Sequence, residues 1–113
     1  MANNRAHLVA LRGGSRGQAT TLVRRLETIA ENEDMDDVHK LHELETKHQA
    51  LRERYRTIED LDQQIYALTQ AEALEVEMTA VDVFNTVYQD ALSLYQHNIN
   101  LLRRAVEAAN PDL

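Results

Sequence analysis

The chain has 113 residues, of which 43% are hydrophobic and 27% charged, a composition typical of one globular domain rather than a disordered segment. It contains no cysteine, three glycines and one proline, which excludes a disulfide-stabilised domain, a thiolate zinc site and a collagen-like repeat. No uncharged apolar run approaches the roughly 20 residues of a membrane-spanning helix, so we expect an intracellular, cytoplasmic protein. The net charge of -7 disfavours contact between most of the surface and nucleic acid or anionic lipid.

The distribution of helix breakers predicts an all-α fold. The glycines lie at 13, 14 and 17 and the proline at 111, so the long stretch between them has no strong breaker. That stretch is rich in helix-forming residues and has no alternating run of β-branched residues. We predict a single helical domain in four parts: a flexible basic head at 1–16, helix 1 at 17–32, helix 2 at 35–68 and helix 3 at 70–109.

Helix 1 is predicted to be short and amphipathic, with Leu22, Leu26 and Ile29 on one face. It should end in an acidic segment at 31–34, because negative charge is unfavourable at a helix C-terminus and favourable before the next N-terminus. The sequence therefore predicts a turn at 32–35, with Asp34 or Asp36 as the N-cap of helix 2.

Helix 2 carries an apolar seam with heptad spacing. Its members are Leu41, Leu44, His48, Leu51, Tyr55 and Ile58. The next apolar residues are Leu61, Ile65 and Leu68 rather than residue 62, which predicts a slip of the seam at 57–62. The sequence Thr69-Gln70-Ala71-Glu72 matches a capping box with Thr69 as the N-cap, so helices 2 and 3 should form a long, antiparallel, coiled-coil-like hairpin. The alternative is one continuous helix over 36–108.

Helix 3 carries two neighbouring stripes. The first follows an unbroken 4-3 spacing with one polar member, Asn85: Leu74, Met78, Val81, Asn85, Tyr88, Leu92, Tyr95, Ile99, Leu102 and Val106. The second contains Ala80, Phe84, Val87, Ala91, Leu94, Leu101 and Ala105. Because a short helix 1 cannot cover the second stripe, we predict self-association through Phe84, Val87, Ala91, Leu94, Leu101 and Ala105.

Positive charge is concentrated at the beginning of the sequence, since residues 1–26 contain five arginines and no acid. Arg12, Arg16, Arg24 and Arg25 are candidates for contact with RNA or an anionic membrane. The alternative is pairing of this basic head with the acidic remainder of the chain, favoured because no aromatic residue interleaves with the arginines for base stacking.

Two polar residues lie on the apolar seams. His48 and Asn85 are candidates for fixing helix register, and Asn85 can alternatively satisfy a polar group such as Asp62. The Glu45-x-x-His48 spacing resembles half of a di-iron motif, but the second half is missing. No phosphate loop or catalytic set is present. We therefore expect no enzyme activity, no metal, no cofactor and no small-molecule substrate.

Three segments in order carry a family resemblance: RGGSRGQATTLVRRLETI at 12–29, LHELETKHQALRERYRTIEDLDQQI at 41–65, and a later helix with FNTVYQDAL at 84–92. This order resembles the helical N-terminal Gag region of BEL/Pao-type LTR retrotransposons. The resemblance assigns Arg16-Gly17 with Thr20 or Thr21 to the first element, 41–65 to the second and 75–88 to the third. It implies a structural segment engaged in particle or oligomer assembly, such as a virus-like particle.

Together these patterns lead to an expected function. The sequence predicts a non-enzymatic, Gag-like assembly module that forms a homo-oligomer through long amphipathic helices. Two alternatives remain: an adaptor that binds a partner helix on the second stripe, and a matrix-like module whose basic head contacts RNA or anionic membrane.

Overall fold

The computed structural model describes the backbone of residues 2–110 and the side chains of residues 4–110; Met1 and residues 111–113, with the proline, lie outside the described residues. The described chain forms three α-helices without a strand: α1 (Ala2–Glu31), α2 (Asp37–Ala67) and α3 (Ala71–Ala109). The predicted all-α, three-helix fold is confirmed. The bundle measures 59 × 22 × 19 Å, so it is a bar about three times longer than it is wide.

The helices run up, down and up. Arg12 of α1 contacts Asp62 of α2, and Arg5, nearer the start of α1, contacts Thr69, nearer the end of α2. His48 of α2 bonds to Leu92 of α3, whereas Asp62 bonds to Asn85. Both pairs of consecutive helices are therefore antiparallel, which confirms the predicted hairpin of α2 and α3 and excludes the continuous helix over 36–108.

The predicted short first helix is wrong. α1 has 30 residues and is as long as α2, because residues 2–16 are helical rather than a flexible head. A glycine costs a helix about 1 kcal/mol relative to alanine, and burial of Arg12, Ser15 and Ala19 against the other helices offsets that cost. A Cβ built at Gly13, Gly14 or Gly17 meets nothing within 4 Å, so close packing does not require glycine at these positions.

The two turns lie near the predicted places, and one cap differs. Asp36 is the N-cap of α2 and its carboxylate accepts a hydrogen bond from the His39 backbone N–H at 2.9 Å, as predicted. The capping box at 69–72 is wrong, because Gln70 is the N-cap of α3 and makes no side-chain cap bond. Thr69 instead donates its hydroxyl to the Ile65 carbonyl, which places this side chain at the end of α2.

The seam of α2 continues without a slip. Seven of the eight buried residues of α2 keep one 4-3 spacing, namely Leu44, His48, Leu51, Tyr55, Ile58, Asp62 and Ile65, and the eighth, Leu61, lies beside Asp62. The predicted irregularity at 57–62 arose because a carboxylate occupies a seam position, where an apolar residue was expected. Asp62 is only 2% exposed, so this charge lies inside the bundle.

One hydrophobic core runs between the three helices. It is built from Ala19 and Leu26 of α1, four seam residues of α2, and four residues of α3, namely Tyr88, Ala91, Tyr95 and Ile99. Tyr55 and Tyr88 meet edge to face with ring centroids 6.4 Å apart, a favourable geometry for aromatic rings. Among residues 2–110, no helix combines the length and the apolar character needed to cross a membrane.

Candidate interaction surface and buried charge cluster

The inner face of α3 is the first stripe that the sequence predicted. Val81, Tyr88, Tyr95 and Ile99 are buried, none more than 7% exposed. The other members are partly buried, except Met78, which is 47% exposed. The 4-3 spacing therefore identified the face that packs on α1 and α2 correctly.

The outer face of α3 carries a second apolar pattern that we call the outer stripe. It follows a strict 3-4 spacing over eleven exposed positions, of which eight are apolar. These are Ala73, Val76, Ala80, Val83, Val87, Asp90, Leu94, His97, Leu101, Arg104 and Ala108. Such a spacing is the heptad seam of a two-helix contact, yet no helix of the described chain covers it.

The exposed fractions show how unusual this surface is. Val76 is 73% exposed, Val83 65% and Val87 56%, and Leu94 and Leu101 are 53% and 50% exposed. Within the described residues, seven of the ten exposed large hydrophobic side chains belong to α3, and α2 contributes only Val38. Exposed apolar residues are ordinary when scattered, but a contiguous row marks a binding surface.

The six residues predicted to mediate self-association divide into two groups, exposed and buried. Phe84, Val87, Leu94, Leu101 and Ala105 are exposed. Ala91 is only 7% exposed and belongs to the core, so its assignment to an association surface is wrong. Val76 and Val83 were not predicted, although they are the two most exposed large hydrophobic residues of α3.

The predicted cause of the uncovered stripe, a short first helix, is also wrong. α1 is long enough to accompany most of α3, and a short first helix is not the cause. The outer stripe is exposed because α1 and α2 both pack on the opposite side of α3, where Tyr88, Tyr95 and Ile99 lie. A three-helix bundle covers only one broad face of each helix.

A cluster of charged side chains lies inside one half of the bundle and joins all three helices. Asp62 of α2 accepts a hydrogen bond from Arg12 Nη1 of α1 at 3.0 Å through Oδ1, and from Asn85 Nδ2 of α3 at 3.2 Å through Oδ2. Arg12 also contacts Glu77 of α3 at 2.7 Å, and Arg5 contacts the same carboxylate at 3.5 Å. The carboxylates of α2 and α3 are therefore bridged by arginines from α1.

This cluster accounts for two of the four arginines predicted to contact an anion. Arg12 is 6% exposed and is engaged by Asp62, so its assignment to anion contact is wrong. The Arg16 guanidinium lies 3.9 Å from the centre of the Phe84 ring and 3.9 Å from Asp62. Arg24 and Arg25 are exposed. The alternative in which the basic head pairs with the acidic body is the arrangement observed for Arg5, Arg12 and Arg16.

Several polar atoms of the cluster are incompletely satisfied. Arg16 Nε and Nη2, Arg12 Nε, Glu77 Oε1 and Asn85 Oδ1 are buried without hydrogen-bond partners. The 2.7 Å contact of Glu77 with Arg12 is thus an ion pair without hydrogen-bond alignment. Burial, and next the charge of Arg12, lower the pKa of Arg16, whereas Asp62 acts in the opposite direction. Such a cluster favours a defined arrangement of helices more than it adds stability.

The two predicted register residues both bond across the α2–α3 contact. His48 is 5% exposed and its Nε2 donates to the Leu92 carbonyl at 2.9 Å. Its Nδ1 lies 3.4 Å from Arg52 Nη2, which can donate to it, so the neutral ring with its proton on Nε2 fits both neighbours. Asn85 meets Asp62, as one of the two readings of this residue proposed.

Within residues 4–110, no three His, Cys, Asp or Glu side chains are placed to hold a metal ion. Comparison of the chain with family models, curated proteins and solved structures finds no match. The outer stripe and the buried cluster are therefore the features from which a function must be argued.

Proposed function

We propose that the protein is a non-enzymatic structural module that self-associates through the outer stripe of α3. The observation that carries this proposal is the row of eleven exposed positions with heptad spacing, eight of them apolar, on a helix whose other face is already packed. A heptad seam is the pattern by which one helix recognises another. A second copy of the same chain offers a seam of identical length and spacing.

The size of the stripe supports a helix as the partner. From Val76 to Leu101 the helix rises about 38 Å, at 1.5 Å per residue. With a helix diameter of about 10 Å, the footprint is on the order of 400 Å² on each copy. Two such footprints bury on the order of 800 Å², and interfaces below about 1,200 Å² are typical of weak association, so we expect dimers at high protein concentration. The length of the stripe favours contact along a whole helix over insertion of a single anchor residue.

The buried cluster supports the same role indirectly. It links Arg12, Asp62 and Asn85 of three different helices, so it disfavours shifted or opened arrangements in which a charge would remain unpaired. A bundle held in one register presents α3 as a rigid surface, which reduces the entropy lost when two copies associate. The Gag-like identity suggested by the sequence resemblance is part of this proposal and implies assembly into a larger particle.

Molar mass in solution tests the proposal. Sedimentation equilibrium over a concentration series should give twice the chain mass of 12.9 kDa for the unmodified protein. The double variant Leu94→Asp plus Leu101→Asp should remain monomeric, because each interface would then bury carboxylates. Its circular dichroism should keep the helical spectrum, since both side chains are about half exposed.

A matched control separates the stripe from the added charge. Thr46→Asp plus Gln63→Asp places the same two charges on exposed positions of α2 and should associate like the unmodified protein. If the control dissociated to the same extent as the α3 variant, association would depend on net charge and the assignment to the outer stripe would be wrong.

A further inference from the structure

The positions of charge along the outer stripe specify how two copies of α3 pair. We infer that the α3 helices of two protomers pack antiparallel, with Leu94 of each against the partner's Val83 and Leu101 against the partner's Val76. This inference rests on the proposed function and adds the direction and register of the partner helix. It follows from the two charged members of the stripe, Asp90 and Arg104, and from the sizes of its apolar members.

The sizes of the side chains select one register among those that the heptad spacing of the stripe allows. In an antiparallel pair, the alternating positions of one heptad seam face each other in mixed layers. Centring the pair between Val87 and Asp90 brings the larger side chains of the second half of α3 against the valines of the first half. The resulting layers are Leu101 on the partner's Val76, Leu94 on the partner's Val83, Val87 on the partner's Asp90, Ala80 on the partner's His97, and Ala73 on the partner's Arg104.

Charge decides against the parallel alternative. A parallel pair would place each polar member of the stripe opposite its own copy, so that Asp90 would face the partner's Asp90 and Arg104 the partner's Arg104. Like charges directly opposite are destabilising. In the antiparallel pair, Arg104 instead lies beside the first turn of the partner's α3, where Glu72 supplies a negative charge. Opposed helix dipoles add to this preference.

Disulfide trapping with single cysteines tests the direction, and the chain has no cysteine of its own. We would prepare Val76→Cys and Leu101→Cys as separate proteins and oxidise them alone and mixed in a glutathione buffer. Mass spectrometry identifies the products. In the mixture, the disulfide between the two variants should be at least tenfold more abundant than either homodimer disulfide. In the antiparallel pair, two copies of residue 76 lie about 38 Å apart, beyond the 4.4–6.8 Å Cα separation of a disulfide.

Each other outcome has a distinct meaning. Homodimer disulfides of each variant in excess over the mixed product would show a parallel pair and overturn the inference while leaving self-association intact. A dimeric mass without any trapped disulfide would overturn the register. A monomeric mass for both variants and for the unmodified protein would defeat the proposed function itself. The pair Thr46→Cys and Gln63→Cys, on the exposed face of α2, serves as control, and equal trapping there would overturn the inference as well.

Discussion

The two faces of α3 follow the same helical spacing, but only the inner face is covered by the rest of the chain. The inner face places Tyr88, Tyr95 and Ile99 in the core, whereas the outer stripe leaves Val83, Val87 and Leu94 more than half exposed. Both follow the 3-4 spacing of a helix contact. The difference shows that hydrophobic periodicity alone does not separate a face that packs inside the bundle from one that stays exposed, because the number of helices in the chain decides which faces are covered internally.

The largest difference in stability between the two faces should appear when one carboxylate is introduced into each of them. Ile99→Asp forces a carboxylate into a position that is 2% exposed, and burying an unpaired charge destabilises by more than about 4 kcal/mol. We expect this variant to be unfolded or molten by circular dichroism and thermal melting. Leu94→Asp, on the outer stripe, should change the unfolding free energy of the monomer by less than about 1 kcal/mol. Similar melting of the two variants would contradict the distinction between the faces.

The interior of the bundle also contains the charged pair Arg12–Asp62, and removing one partner should destabilise the fold nearly as much as Ile99→Asp does. Asp62→Leu removes the carboxylate that hydrogen-bonds Arg12 and leaves only the unaligned ion pair with Glu77, which should cost up to about 3–5 kcal/mol in urea denaturation. The double variant Asp62→Leu plus Arg12→Met removes both partners and should recover most of this loss. If the double variant were as unstable as the single one, the Arg12–Asp62 pair would not be the source of the effect.

A smaller effect should come from the pH dependence of stability, through the buried Tyr95. Burial, and then the charges of Glu27 and Glu31, raise the pKa of Tyr95 above its ordinary 10.0. The folded protein therefore keeps the Tyr95 proton at pH values where the unfolded chain loses it, so stability present below pH 10 should fall as the pH rises through the folded pKa. Absorbance of tyrosinate follows the titration, and Tyr95→Phe should weaken the alkaline loss. An unchanged pH dependence in that variant would contradict burial of this hydroxyl.

The smallest effect concerns the one acidic member of the outer stripe. In the proposed antiparallel pair, Asp90 packs on the partner's Val87 and lies one layer away from the partner's Asp90 rather than directly opposite it. Asp90→Asn removes this remaining like-charge repulsion, so it should lower the dimer Kd by about twofold to fivefold, the scale of a screened charge contact. Asp82→Asn makes the same charge change on α3 away from the stripe and should leave Kd nearly unchanged. Equal tightening by both variants would reveal a general effect of net charge.

The sequence was sufficient for the fold class and for the inner face of α3, because helix periodicity and the absence of breakers over 18–110 report local structure directly. It failed at α1, where three glycines suggested a break but burial of Arg12 and Ala19 holds the helix. Tertiary contacts override helix propensity in such cases. These contacts cannot be inferred from a single sequence.

The candidate surface was only partly predictable for a related reason. The second stripe was found, yet Ala91 was assigned to it and Val83 was missed. A shift of one residue turns a side chain by about 100° around the helix, which moves it between the core and the solvent. The buried Asp62 was read as an interruption of the seam, because its partner Arg12 lies 50 residues earlier in the sequence.

Sedimentation equilibrium of the unmodified protein beside Leu94→Asp plus Leu101→Asp decides whether the outer stripe joins two copies of the chain. We expect the unmodified protein to approach twice the 12.9 kDa chain mass and the variant to keep the mass of one chain, with both helical. A mass of one chain for the unmodified protein at every concentration, or equal association of the variant, would show that the outer stripe does not join two copies.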